Sequence, residues 1–123
     1  MKVRRLSLAV ALLSVSLTSL GQTSNGFVDG HTLHAQLTVF QQMLAGESKA
    51  SPGEKMNAMG AAGYVVGVAD IDNNAEFCLP KPITRGVVIS VVTDFLNGHP
   101  DEWNQTAAVD VGIALKLAYP CKK

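Results

Sequence analysis

Thr84-Arg85-Gly86-Val87-Val88-Ile89-Ser90-Val91-Val92-Thr93-Asp94-Phe95-Leu96-Asn97-Gly98 is the stretch on which the fold class turns. Val87, Val88, Ile89, Val91 and Val92 would make a strand on propensity alone. Three features argue for a helix instead. Thr84 follows Pro82 and can cap a helix start, Val88, Val91, Val92 and Phe95 form a stripe at helical spacing, and Asn97-Gly98 stops the segment before His99-Pro100. The stretch is read as a helix, and with it the chain contains no convincing strand.

The flanking segments agree. Leu33, Leu37, Phe40 and Leu44 recur at helical spacing with Gln36, Gln41 and Gln42 turned away, a helix that Asp29 or Thr32 can cap and Gly46 can end. Ser51-Pro52-Gly53-Glu54 is a capping box with proline in the first turn. Met56 to Ala69, apolar almost all round, then predicts a central helix with most faces buried. Gly60, Gly63 and Gly67 share one side of it, and each costs about 1 kcal/mol relative to alanine in a helix. That cost is tolerable if a second helix packs backbone-close against the strip, so such packing is the expectation.

Asp70 to Ile83 reads as a loop with three acids, two asparagines, Cys78 and two prolines. Acids at a helix C-terminus oppose its dipole, so Asp70 and Asp72 are taken to mark a helix that has already ended; the alternative keeps them for contact with a partner. His99 to Gln105 is a turn holding the single tryptophan, Trp103. Ala107 to Ala118 is a last helix with Ala108, Val111, Leu115 and Ala118 on one face, stopped by Pro120. The fold class expected is all-α, a small four-helix bundle with one disulfide.

The start of the chain reads as an export leader. Met1-Lys2-Val3-Arg4-Arg5 is basic, Leu6 to Leu20 is uncharged, and Ser19-Leu20-Gly21 offers small residues for a signal peptidase. Fifteen residues span only about 22 Å of helix, short of a hydrocarbon core of roughly 30 Å. The expected organisation is a secretory signal peptide at residues 1–21 and one domain at 22–123, delivered to the periplasm. Without Lys2, Arg4 and Arg5, the ten basic residues fall to seven against ten acidic ones, a net of about −3. That argues mildly against nucleic acid or anionic lipid as a partner.

Cys78 and Cys121 are the only cysteines. Thiols in an oxidising compartment pair, so one disulfide is expected, stabilising the domain by roughly 4 kcal/mol on the loop-entropy account.

Reactive chemistry is hard to find. His31 and His34 lie three apart and could face a metal, but no further ligand is placed for one, so the default is a solvated helix face. There is no free thiolate for Cys-His catalysis, no phosphate loop and no nucleophile elbow. Neither an enzyme, nor a metal, nor a cofactor is expected. Trp103 is read first as a lid over the bundle; exposed beside Asp101, Glu102 and Asn104 it would instead anchor a protein partner.

Gly63-Tyr64-Val65-Val66-Gly67-Val68-Ala69-Asp70, Phe77-Cys78-Leu79-Pro80, Phe95-Leu96 with His99-Pro100, Ala114-Leu115 and Tyr119-Pro120-Cys121 follow in order. In these blocks, over about residues 56–121, the chain resembles the Rap/Tai family of type VI secretion amidase immunity proteins. Many relatives carry a further cysteine near the Gly-Tyr block, where this chain has Met59-Gly60-Ala61-Ala62. The resemblance implies a periplasmic immunity protein that occludes the cleft of a peptidoglycan amidase toxin, often as a homodimer. The contact is expected at Asp70, Asp72, Asn73, Asn74 and Glu76, held by Cys78–Cys121 and joined by Trp103. Two other readings remain: a periplasmic acid-stress chaperone that unfolds near pH 2–3, and a non-catalytic structural protein with no toxin at all.

Overall fold

The computed structural model describes residues 26–123. The leader, and the division of the chain at residue 21, lie outside them. Four α-helices appear in order: α1 (Gly30–Leu44), α2 (Pro52–Asp72), α3 (Arg85–Gly98) and α4 (Ala107–Ala118), with a short 3-10 helix, η1 (Pro100–Asn104), between the last two. Among the described residues the only β pairing is two isolated bridges, Asp29 with Thr106 and Asn73 with Phe77. The protein is an all-α bundle, as the reading of Thr84–Gly98 required.

Each start signal in the sequence operates. The Asp29 carboxylate accepts the Thr32 backbone N–H at 2.8 Å, and Ser51 and Glu54 form the reciprocal capping box. Thr84 accepts from the Val87 N–H at 3.3 Å. That cap, with burial of Val88, Ile89, Val92 and Leu96, is why a valine-rich segment is helical: its stripe meets α1, α2 and α4 at once. Gly46 follows α1 with φ +72°, the left-handed conformation a glycine supplies without strain.

The core gathers Leu33 and Leu37 from α1, Ala61, Val65 and Ala69 from α2, Val88, Val92 and Leu96 from α3, and Val111, Ala114 and Leu115 from α4. Phe77, in the loop after α2, is fully buried with them. On α4 the buried face is Ala107, Asp110, Val111, Ala114 and Leu115; Ala108 is half-buried and Ala118 exposed, so the expected face was set slightly off register.

Two expectations are corrected. α2 does not stop before its acids: it runs through Asp70 and Asp72, where the Asn73 N–H still bonds the Ala69 carbonyl. Burial of Ala69 and Phe77 holds this last turn in place against the unfavourable end charge. Among the described residues, no helix packs on the glycine strip either. A Cβ added at Gly60, Gly63 or Gly67 would meet nothing within 4 Å, because all three face outward. Met56 and Met59 are exposed beside them, so α2 is a half-buried helix rather than a central one.

Candidate functional site

The segment that links α2 to α3 is held by four separate bonds. The Asn74 N–H donates to the Phe77 carbonyl at 2.7 Å, and the Ala75 and Glu76 N–H groups both donate to the Asp72 carbonyl at 3.0 Å. Asn73 Oδ1 accepts the Leu79 N–H at 3.0 Å, so this side chain is spent on shaping the loop. Asn74 has φ 68°, a left-handed turn position that asparagine tolerates better than most residues. Phe77 anchors the loop in the core, and the next residue carries the staple: Cys78 is disulfide-bonded to Cys121 across a sequence separation of 43.

What this leaves outside is acidic and amide-bearing. Asp70, Asn74 and Glu76 are exposed, while Asp72 and Asn73 are half-buried. Glu76 reaches Lys116 on α4 at 3.3 Å, an exposed pair that contributes little to stability but fixes where the carboxylate sits. Asp70 and Asp72 stand on the last turn of α2, and Asn73, Asn74 and Glu76 form an edge after it on a backbone ordered by the loop bonds and the disulfide.

Trp103 does not belong to that edge. Its indole N–H donates to the Leu96 carbonyl at 2.8 Å, and the His34 ring stacks on it with centroids 4.0 Å apart. His31 meets it edge-on at 5.4 Å. Trp103 precedes α4 whereas Glu76 pairs with Lys116, about 14 Å along the helix from its first residue. The tryptophan lids the bundle, and the two histidines serve as its walls. Their outer nitrogens bond Asn104 (His31, 3.3 Å) and Asn97 (His34, 2.9 Å). His99 is stacked on Phe95, with Nδ1 2.7 Å from the Phe95 carbonyl. Among the described residues no group of three or more histidine, cysteine or acidic side chains could hold a metal ion.

A second surface lies between α1, α2 and α3. A cavity of about 600 Å³ is floored by Gly63, Gly67 and Gly86 and walled by Phe40, Leu44 and Met59. Asp70 and Arg85 also line it, one acid and one base. Leu44, expected to be core, is 66% exposed at its mouth.

One residue of consequence escaped the sequence reading. Asp110 is completely buried, and neither carboxylate oxygen has a hydrogen-bond partner. Burial pushes its carboxyl up to about 6; the nearby Gln105 amide opposes this and the Glu102 charge adds to it. The signal was available: an acid between Ala107 and Val111, on the side of the helix that also carries Ala114.

A family model for Rap1a immunity proteins matches residues 26–121. The chain belongs to this family. That membership makes it an immunity protein, with a toxin as its implied partner, in a family that generally acts without catalysis. The matched span takes in α1 through Cys121, so both ends of the disulfide and the whole acidic edge fall inside it. No curated protein matches the chain. Among the described residues of this Rap1a relative, no helix is long and apolar enough to cross a membrane.

Proposed function

We propose that this Rap1a immunity protein acts in the periplasm, after export, and neutralises a peptidoglycan amidase delivered by type VI secretion. It binds the toxin and covers its cleft, and performs no chemistry itself. The observation that carries the contact site is the disulfide-fastened edge after α2, where Asp70, Asn74 and Glu76 are exposed on an ordered backbone. Carboxylates and amides there suit a catalytic histidine and the backbone donors of an amidase cleft. Asp72 and Asn73 support the edge from within. Because its loop is fixed before binding, little conformational entropy is lost on association.

The test is inhibition of a cognate amidase by wild type and by Asp70→Lys and Glu76→Lys. Charge reversal is expected to weaken inhibition at least tenfold with an unaltered circular dichroism spectrum. Full inhibition by the double variant would move the contact elsewhere, and failure of the wild type to bind any amidase encoded beside it would remove the reading altogether.

The same reading includes a homodimer, and the outward face of α2 is the surface it would use. Gly60, Gly63 and Gly67 allow a close approach, and Met56, Met59 and Leu44 supply apolar area. Sedimentation equilibrium at micromolar concentration checks it; a monomer throughout excludes it.

A further inference from the structure

Asp110 stands where four parts of the molecule converge. It lies in the first turn of α4, and its Oδ2 is so close to Gly30 that a Cβ there would come within 2.3 Å of it. The same added Cβ would come within 2.6 Å of the Trp103 Cα. Two hydrogen bonds close this joint: the Gly30 N–H to the Gln105 carbonyl at 3.0 Å, and the Ala107 N–H to the Val28 carbonyl at 2.9 Å. One N–H of the Gln105 side-chain amide is taken by Glu102, and the amide's nearness to Asp110 offsets only part of the effect of burial. A fully buried carboxylate with no partner is costly as an anion and cheap as a neutral acid. The N-terminus of α4 favours the anion, but by far less than burial disfavours it.

We propose that Asp110 is a proton-operated lock: protonated, it holds the N-terminal segment and η1 closed over the start of α4, and ionised, it lets that joint open to water. The groups that bear on it are few. Tyr64 from α2 has its phenol raised by burial and then by the Asp110 charge, and Glu102 comes from η1. At the start of α1, Asp29 caps the helix and His31 and His34 are turned to Trp103. Arg85 and Asp94 of α3 are exposed, as is Lys116 of α4. The sign follows from the raised value. The closed form binds the proton more tightly than the open form, so the lock tightens as pH falls through about 6 and loosens above it.

Amide hydrogen exchange reads the joint directly at Gly30 and Ala107. After correction for intrinsic chemistry, protection at both should be about tenfold higher at pH 5 than at pH 7.5. Asp110→Asn should abolish that dependence. Glu102→Gln, which leaves the lock in place but removes the charge beside it, should move its midpoint to lower pH. Protection that does not change with pH in the wild type overturns the proposal, and so does a D110N protein that keeps the wild-type profile. If D110N does not fold, the midpoint in E102Q decides alone: a shift downward supports the lock, and no shift refutes it.

Discussion

Cys78 meets Tyr119 before it meets Cys121. Its backbone N–H donates to the Tyr119 carbonyl at 2.9 Å, two residues from the sulfur to which it is bonded. The covalent link and the hydrogen bond therefore tie the loop after α2 to the end of α4 twice, and the exposed Glu76 carboxylate takes its position from that double tie.

Removing the sulfurs should accordingly cost stability without erasing the edge. Closing the unfolded chain between positions 78 and 121 is worth about 4 kcal/mol on the loop-entropy account. Cys78→Ser with Cys121→Ser is expected to unfold at markedly lower urea, by about 2–4 kcal/mol. A denaturation midpoint equal to that of the oxidised wild type would mean that the hydrogen bond and the buried Phe77 hold the loop unaided.

Gly30 tolerates no side chain. An alanine Cβ would press on the Asp110 carboxylate and on the backbone of Trp103, and backbone cannot swing aside as a flexible side chain can. Gly30→Ala should destabilise the protein by about 2–3 kcal/mol, the range expected of overpacking. Thermal unfolding measures it. The tryptophan emission should shift at the same time, since the added methyl presses on the Trp103 backbone; a shift in stability without one would place the strain elsewhere.

The helices were legible because their punctuation was local. Thr84, Asp29 and the Ser51–Glu54 box act through bonds three residues away, and Asn97-Gly98 needed no partner to end α3. What sequence could not give was the outcome of competition between distant groups. Asp70 and Asp72 look like a helix end by charge, yet the burial of Ala69 and Phe77 carries α2 past them. Gly60, Gly63 and Gly67 look like a packing strip, and the strip exists, but none of the described helices lies on it. His31 and His34 were legible as a pair three apart, not as walls for Trp103, because the tryptophan arrives from seventy residues away by way of η1. The exposure of Asp70, Asn74 and Glu76 follows from their polar character, whereas their separation from Trp103 depends on the length and course of α4.

The Asp29 cap sets an acid limit on α1. Its carboxylate is held below the ordinary aspartate value, first by the backbone N–H of Thr32 and then by its hydroxyl. A depressed folded value means the stabilisation is complete above the unfolded value of 3.8 and disappears as pH falls through the folded one. Asp29→Ala should therefore cost about 1 kcal/mol at pH 7 and almost nothing at pH 2. Urea titrations at both pH values compare the two. An equal loss at pH 2 would show that Asp29 contributes by packing and not as an acceptor.

The outward glycines of α2 separate the stability of the subunit from what its surface is for. With nothing within 4 Å of a Cβ at Gly60, Gly63 or Gly67, alanine at each should stabilise the helix, by about 0.5–1 kcal/mol per site. Nothing among the described residues explains why that stability was forgone. If the face receives a second copy, each added methyl holds the two backbones apart, and Gly60→Ala with Gly63→Ala should raise the unfolding temperature of the monomer while weakening self-association at least tenfold. Sedimentation and thermal unfolding on the same samples measure both quantities. A variant that gains stability and associates as well as the wild type would leave the glycines without a role in pairing, and the dimer surface would have to be sought on another face.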